Sequence, residues 1–419
     1  MMSNQLIKVV CAALVISLAA CTSPGKKKTG EMTDERNNER AVGTYGYDAA
    51  FFADKNIETI ELKDAESKAC ILLVPAYQGR VMTSTANGPA GQSFGWINYD
   101  LIRSGEVNKH FNPYGGEERF WLGPEGGPYS IYFQQGKEQV YENWLVPPVL
   151  DTENFKVKEQ NSREVIFMRN AVLKNASGTE FKVGIERKVS LLSRDTLCSL
   201  FNIDVPKGFF DVVAYQSENT ITNTGTEAWT REGGLLSIWM LGMFNPSPST
   251  TVFIPCRTDG EGVIVHDDYF GKVPSDRLIV ENGTIFFTID GKLRTKIGVR
   301  PGRATELCGS YDSEKQILTL LWCSLPIKSA DYVNSKWGEQ DDPYAGDVIN
   351  AYNDGPVEDG SIMGPFYEIE TSSPAAALAP GESISHVQRV VHIQGEKVKL
   401  AKIVSELFNL NLYAVESKF

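Results

Sequence analysis

Phe366-Tyr367-Glu368-Ile369-Glu370-Thr371 reads as a β-strand, so Phe366, Glu368 and Glu370 share one face and Tyr367 and Ile369 the other. Carboxylates at i and i+2 of a strand lie roughly 7 Å apart. On a half-enclosed face they repel, and loss of water raises at least one pKa, as general-base chemistry near neutral pH requires. The plain alternative is a solvated strand bearing two surface glutamates.

Further side chains with chemical potential lie upstream. Gly115-Gly116-Glu117-Glu118-Arg119-Phe120-Trp121 runs on to Gly126-Gly127, and its paired glycines permit close backbone approach beside a charge fork and an indole. The chain holds four histidines. His110, just before this glycine-rich segment, is the best placed for a site. His266 sits in a polar, loop-like run, and His386 and His392 read as surface residues on one face of a late strand with Gln388. Asp341-Asp342-Pro343-Tyr344-Ala345-Gly346-Asp347 and Asn350, Asn353 and Asp354 form an oxygen-rich cluster. Its spacing does not match an EF-hand loop, so turn chemistry is preferred to a metal site, with Asn353 and Asp354 as candidate ligand contacts from a loop over the same cleft. GxSxG, HExxH and P-loop motifs are absent from the sequence.

The elements that must position these residues are mostly short β-rich runs bounded by Gly, Pro, Asn and Asp. Ala69–Pro75, Tyr129–Phe133, Glu164–Leu173, Phe181–Leu192, Leu278–Ile289, Ile317–Ser324 and Ile384–Ile393 are predicted strands. Asn282-Gly283 and Asp290-Gly291 are hairpin-type turns. Tyr47–Phe52 suits a short helix, and Leu400, Ile403, Val404, Leu407 and Phe408 recur at helical steps near the end. No linker divides residues 41–419, which predicts a single all-β domain with a short C-terminal helix.

The 41 basic and 53 acidic residues give a net charge of −12, without the basic clusters that nucleic-acid binding requires. Residues 1–20 read as a secretory signal, with Lys8 before an apolar run too short to span a bilayer. Leu18-Ala19-Ala20-Cys21 resembles the lipobox of bacterial lipoproteins. That resemblance implies cleavage before Cys21, lipidation of its thiol and a polar tether over 21–40. The expected address is the bacterial cell envelope, on the outer membrane facing the periplasm, with the membrane met only through the lipid. The later cysteines, Cys70, Cys198, Cys256, Cys308 and Cys323, are odd in number, lack CxxC spacing and read as buried thiols.

Three pieces resemble the galactose-mutarotase-like superfamily of β-supersandwiches: Gly115–Gly127, Ile221-Thr222-Asn223-Thr224-Gly225, and Gly364–Pro374 followed by Leu378–Ser383. The closest likeness is to a family of Bacteroidetes-type lipoproteins with this fold. The resemblance implies a sugar ligand and, in Ile369-Glu370-Thr371, the catalytic base of mutarotases at Glu370. Ring opening of an aldose also needs a proton donor, normally a histidine in that superfamily, and His110 is the candidate here. Glu118, Arg119, Trp121, Asn353, Asp354 and Glu368 are the expected sugar contacts. Proton transfer alone implies no cofactor and no metal. Departure from the superfamily's histidine motifs leaves a non-catalytic sugar-binding or scaffold lipoprotein as the alternative. A glycoside-processing enzyme ranks third, because neighbours on one strand seldom flank a glycosidic bond from opposite sides.

Overall fold

Alternation of Phe181, Val183, Ile185, Val189 and Leu191 with exposed or half-buried residues marks one of the long strands on which the molecule is built. The computed structural model describes residues 39–260, 262–326, 330–357 and 359–419. The expected signal segment, Cys21 and all but the last two residues of the expected tether lie outside them.

Three antiparallel sheets organise the chain. The smallest comprises β1 (Ile60–Lys63), β2 (Cys70–Val74) and β3 (Arg80–Thr85). A five-stranded sheet uses β4 (Arg119–Gly123), β9 (Ser237–Leu241), β13 (Thr295–Val299), β16 (Ile349–Asn353) and β17 (Tyr367–Ser372), in the order β13-β16-β17-β9-β4. The large sheet has ten strands. Its centre is formed by β7 (Glu180–Leu191), β8 (Phe210–Asn223), β14 (Leu307–Asp312), β15 (Ile317–Cys323) and β18 (Ser383–Gly395), in the order β14-β15-β18-β8-β7. β11 (Leu278–Glu281), β12 (Thr284–Thr288) and β10 (Thr250–Pro255) extend one side, and β6 (Glu164–Lys174) and β5 (Lys156–Gln160) the other.

The main core lies between the five-stranded and ten-stranded sheets. Phe120, Leu122, Ile238, Met240 and Ile369 join one cluster with Val183, Tyr215, Ile221 and Val390. A second cluster covers the opposite face of the large sheet, where Leu400, Ile403 and Val404 of the helix Lys397–Phe408 meet Val391 and Ile393. The expected N-terminal helix is present as Tyr45–Asp54, capped by Thr44.

Tyr129–Phe133, expected as a strand, is instead a loop. The Ser130 hydroxyl accepts from Tyr132 N at 3.0 Å, and Tyr132 OH donates to Leu122 O at 2.8 Å, so the segment curls against β4 rather than pairing with a neighbour. Among the described cysteines all are free, and Cys198 alone is not buried.

His386 and His392 are not surface residues; both are almost completely buried. Alternation puts them with Gln388 on one face of β18, but the smaller sheet and the glycine-rich segment cover that face. His392 Nε2 donates to Glu117 at 2.8 Å. Thr371 Oγ1 lies 2.7 Å from Gln388 Oε1 and donates to it, so it accepts from His386 Nε2 at 2.8 Å. Burial pushes His386 down from 6.5 to about 4. A depressed histidine stabilises the fold above its unfolded pKa, and this contribution is lost as pH falls from 6.5 through about 4. The stability gap between the wild type and His386→Gln should therefore narrow over that range in denaturant titrations; a gap independent of pH would refute the assignment.

Candidate functional site

Every strand of the five-stranded sheet sends side chains to the face turned away from the core. Glu370 is in register with Asn350 on one side and Leu241 on the other, and Leu241 with Arg119. Glu368 pairs with Tyr352, Tyr352 with Lys296, and Trp239 with Trp121. Residues paired across an antiparallel sheet project to the same side. Loop residues roof this floor, including Trp144, Phe270, Trp337 and Phe366. They leave between them an open cavity of about 630 Å³, the solvent at its mouth included. Four of the seven tryptophans in the chain, Trp121, Trp144, Trp239 and Trp337, line it, which gives flat apolar faces on several sides.

Glycine makes one close approach possible. A Cβ on Gly126 would fall 2.3 Å from Lys336 O, so only glycine lets the end of the glycine-rich segment meet the loop that carries Trp337.

The polar groups of the floor form two buried pairs. Glu370 Oε2 accepts from Lys296 Nζ at 2.9 Å and from Trp239 Nε1 at 2.9 Å, while its Oε1 is buried without a partner. Arg119 Nη2 donates to Glu368 Oε1 at 3.1 Å, and the guanidinium lies 4.1 Å from the centre of the Trp121 ring. Burial pushes Glu368 up to about 8; Arg119 opposes the shift, and the neighbouring Glu370 adds to it. For Lys296, burial disfavours the charge, but Glu370 and Glu125 outweigh it and hold the ammonium above the usual lysine value. Burial likewise raises Glu125, which overhangs the cavity near Lys296.

The structure thus brings Glu368, Glu370, Arg119 and Trp121 together and leaves four other expected site residues outside the cavity. Glu118 is fully buried between the sheets, where its carboxylate accepts from Arg187 at 2.7 Å, Gln388 at 2.8 Å and Ser217 at 3.0 Å. His110 does not line the cavity; its Nδ1 lies 2.6 Å from Trp144 O and its ring 5.0 Å from that of Tyr141, so it stands behind the aromatic wall. Asn353 is occupied by the 290–293 turn, accepting from Gly291 N at 2.9 Å and donating to Leu293 O at 2.9 Å. Asp354 accepts from Tyr352 OH at 2.8 Å and Gly364 N at 2.9 Å, which braces the loop before Phe366. Hydrogen bonds within the protein consume the polar atoms of Glu118, Asn353 and Asp354 that a ligand would need.

Lys296, Trp239, Glu125, Arg294, Trp144 and Trp337 were not expected. Lys296 left one signal, a lone charge in the short β-rich run Thr295-Lys296-Ile297-Gly298-Val299. The Asp341–Asp347 segment borders a neighbouring cavity with His266, whose Nδ1 donates to Asp347 at 3.0 Å. Asp342 Oδ1 accepts from Tyr344 N at 2.9 Å, a local turn interaction. Among the described residues, no group of three or more His, Cys, Asp or Glu is arranged to hold a metal ion.

No curated protein matches the chain significantly. Among solved structures, an Escherichia coli K12 protein provisionally named an aldose 1-epimerase aligns over 80% of this chain and 99% of its own, at 10% identity and TM-score 0.48. The Slr1438 protein of Synechocystis sp. PCC 6803 aligns over 81% and 96%, at 13% identity and TM-score 0.48. A galactose mutarotase-like protein of Lactobacillus casei ATCC 334 aligns over 80% and 100%, at 11% identity and TM-score 0.44. A family of unknown function, DUF6786, matches residues 43–419, and the chain belongs to that family.

Proposed function

We propose that the aromatic cavity binds the ring of a sugar and interconverts its anomers, with Glu370 as base and Glu368 as proton donor. One observation carries this reading. Glu370 has one oxygen fixed by Lys296 and Trp239 and the other unpartnered, while Glu368 on the same face of the same strand is shifted toward the protonated form. An ionised carboxylate accepts the anomeric hydroxyl proton and a neutral carboxyl protonates the ring oxygen; after rotation and closure the two transfers run in reverse. Lys296 keeps its own proton and stabilises the negative charge of the floor. The tryptophan faces suit the C–H faces of a pyranose. This assignment supplies the donor role that His110, outside the cavity, does not fill.

The reading includes an envelope address through lipidation of Cys21, supported by the lipobox-like Leu18–Cys21. A non-catalytic sugar-binding role is the second reading, favoured by the lack of any histidine among the cavity-lining residues.

Anomer interconversion followed by polarimetry or NMR exchange, over a panel of free sugars, tests the proposal. The donor must be protonated, so the rate should hold near neutral pH and fall as pH rises through about 8. Absence of acceleration with every sugar would leave only the binding role. Acceleration without an alkaline limb near that value would remove Glu368 as donor.

A further inference from the structure

The unpartnered polar atoms of the cavity are unevenly divided between donors and acceptors. Nε and Nη1 of Arg119, Nε of Arg294 and Nε1 of Trp144 are buried without an acceptor, whereas the one buried acceptor lacking a donor is Glu370 Oε1. A neutral hydroxyl both donates and accepts, so it matches such a wall only in part; a carboxylate only accepts. Charge leans the same way. Lys296 is balanced by Glu370, and Arg119 has Glu368, whose burial favours the neutral form. Arg294 has neither an ion pair nor a hydrogen-bond partner among the described residues; Glu125 and Asp354 feel its charge, but burial pushes both carboxyls toward the neutral form, and the guanidinium lies 4.0 Å from the centre of the Phe270 ring. Stacking of this kind fixes a guanidinium while leaving its N–H edge free for an anion.

Building on the sugar reading, we propose that the ligand is an acidic sugar, a uronate, whose carboxylate is received by Arg294. The remaining unpartnered N–H groups of Arg119 and Trp144 take neutral oxygens of the same molecule. Arg294 precedes β13 by one residue and shares the face of Lys296 two positions on, so the carboxylate sits toward the Tyr352 and Phe366 end of the floor, away from Trp121. The remote anion would orient the ring over Glu368 and Glu370 without taking part in proton transfer.

Calorimetric titration of the purified full chain with galacturonate, glucuronate, galactose, glucose and the corresponding hexose 6-phosphates tests this. A uronate should bind about ten-fold more tightly than its neutral hexose, and added salt should shrink the difference. In Arg294→Gln, checked for an unchanged melting profile, the ratio of uronate to neutral-hexose affinity should fall to within about two-fold. Neutral hexoses binding as well as uronates, or an advantage that survives Arg294→Gln, would overturn the proposal. Preference for the 6-phosphates would also overturn the uronate assignment, with a phosphate ester in place of the carboxylate. If neutral sugars bind and interconvert but acidic ones gain nothing, this inference fails and the sugar reading stands; if no sugar binds, both fail.

Discussion

Glu370→Gln should lower kcat/KM for anomer interconversion by about 10²–10⁴, the usual contribution of a positioned general base. The substitution preserves shape, and the amide oxygen can still accept from Trp239 Nε1, which donates to Glu370 at 2.9 Å in the wild type. It removes basicity and leaves Lys296 without its anion. Glu368→Gln provides the companion measurement: an amide cannot deliver a proton to the ring oxygen, so the rate should fall and its alkaline limb near pH 8 should vanish. A Glu370→Gln protein that retains full rate would exclude Glu370 as base whatever its affinity for sugar. Loss of rate in Glu370→Gln with an unchanged pH profile in Glu368→Gln would place the donor elsewhere.

The second large effect concerns stability. Arg187 and Glu118 are both fully buried, 2.7 Å apart. Arg187 also donates to Asn219 Oδ1 at 2.7 Å and to Gly79 O at 3.2 Å. Arg187→Met strands an ionised glutamate in the core and should cost about 3–5 kcal/mol in denaturant unfolding. Adding Glu118→Gln should recover part of that loss, because the charge itself is removed and the acceptor for Ser217 and Gln388 is kept. A loss below about 1 kcal/mol for the single variant would show that water or another group solvates Glu118.

Strand alternation made much of this architecture legible. It assigned Glu368 and Glu370 to one face and Tyr367 and Ile369 to the other, and the structure agrees: Tyr367 OH meets Ser310 between the sheets while the glutamates line the cavity. The same rule separates Glu118 from Arg119 and Trp121, since odd and even positions diverge along β4; grouping them as one charge fork overlooked a signal that was present. Alternation does not say which faces are covered, and for that reason His386 and His392 read as exposed. Arg294 and Lys296 were hard to place for a different reason. They reach Glu125, Tyr352 and Glu370 only through pairings that span many residues, and no local pattern distinguishes such a lysine from one facing solvent. Trp144 and Trp337 come from loops, where periodicity is silent.

The cavity draws its floor from one sheet and its roof from separate connections between strands. A mutation in the floor disturbs registers shared across five strands, and on β17 a slip of one residue would exchange the two glutamates for Tyr367 and Ile369. Changes in the roof disturb only the loop concerned. Divergence within such a lineage would then retune which molecule is admitted far more readily than what is done to it, so relatives with different loops should be sought for new ligands, and relatives with a changed Glu-x-Glu strand for new chemistry or none.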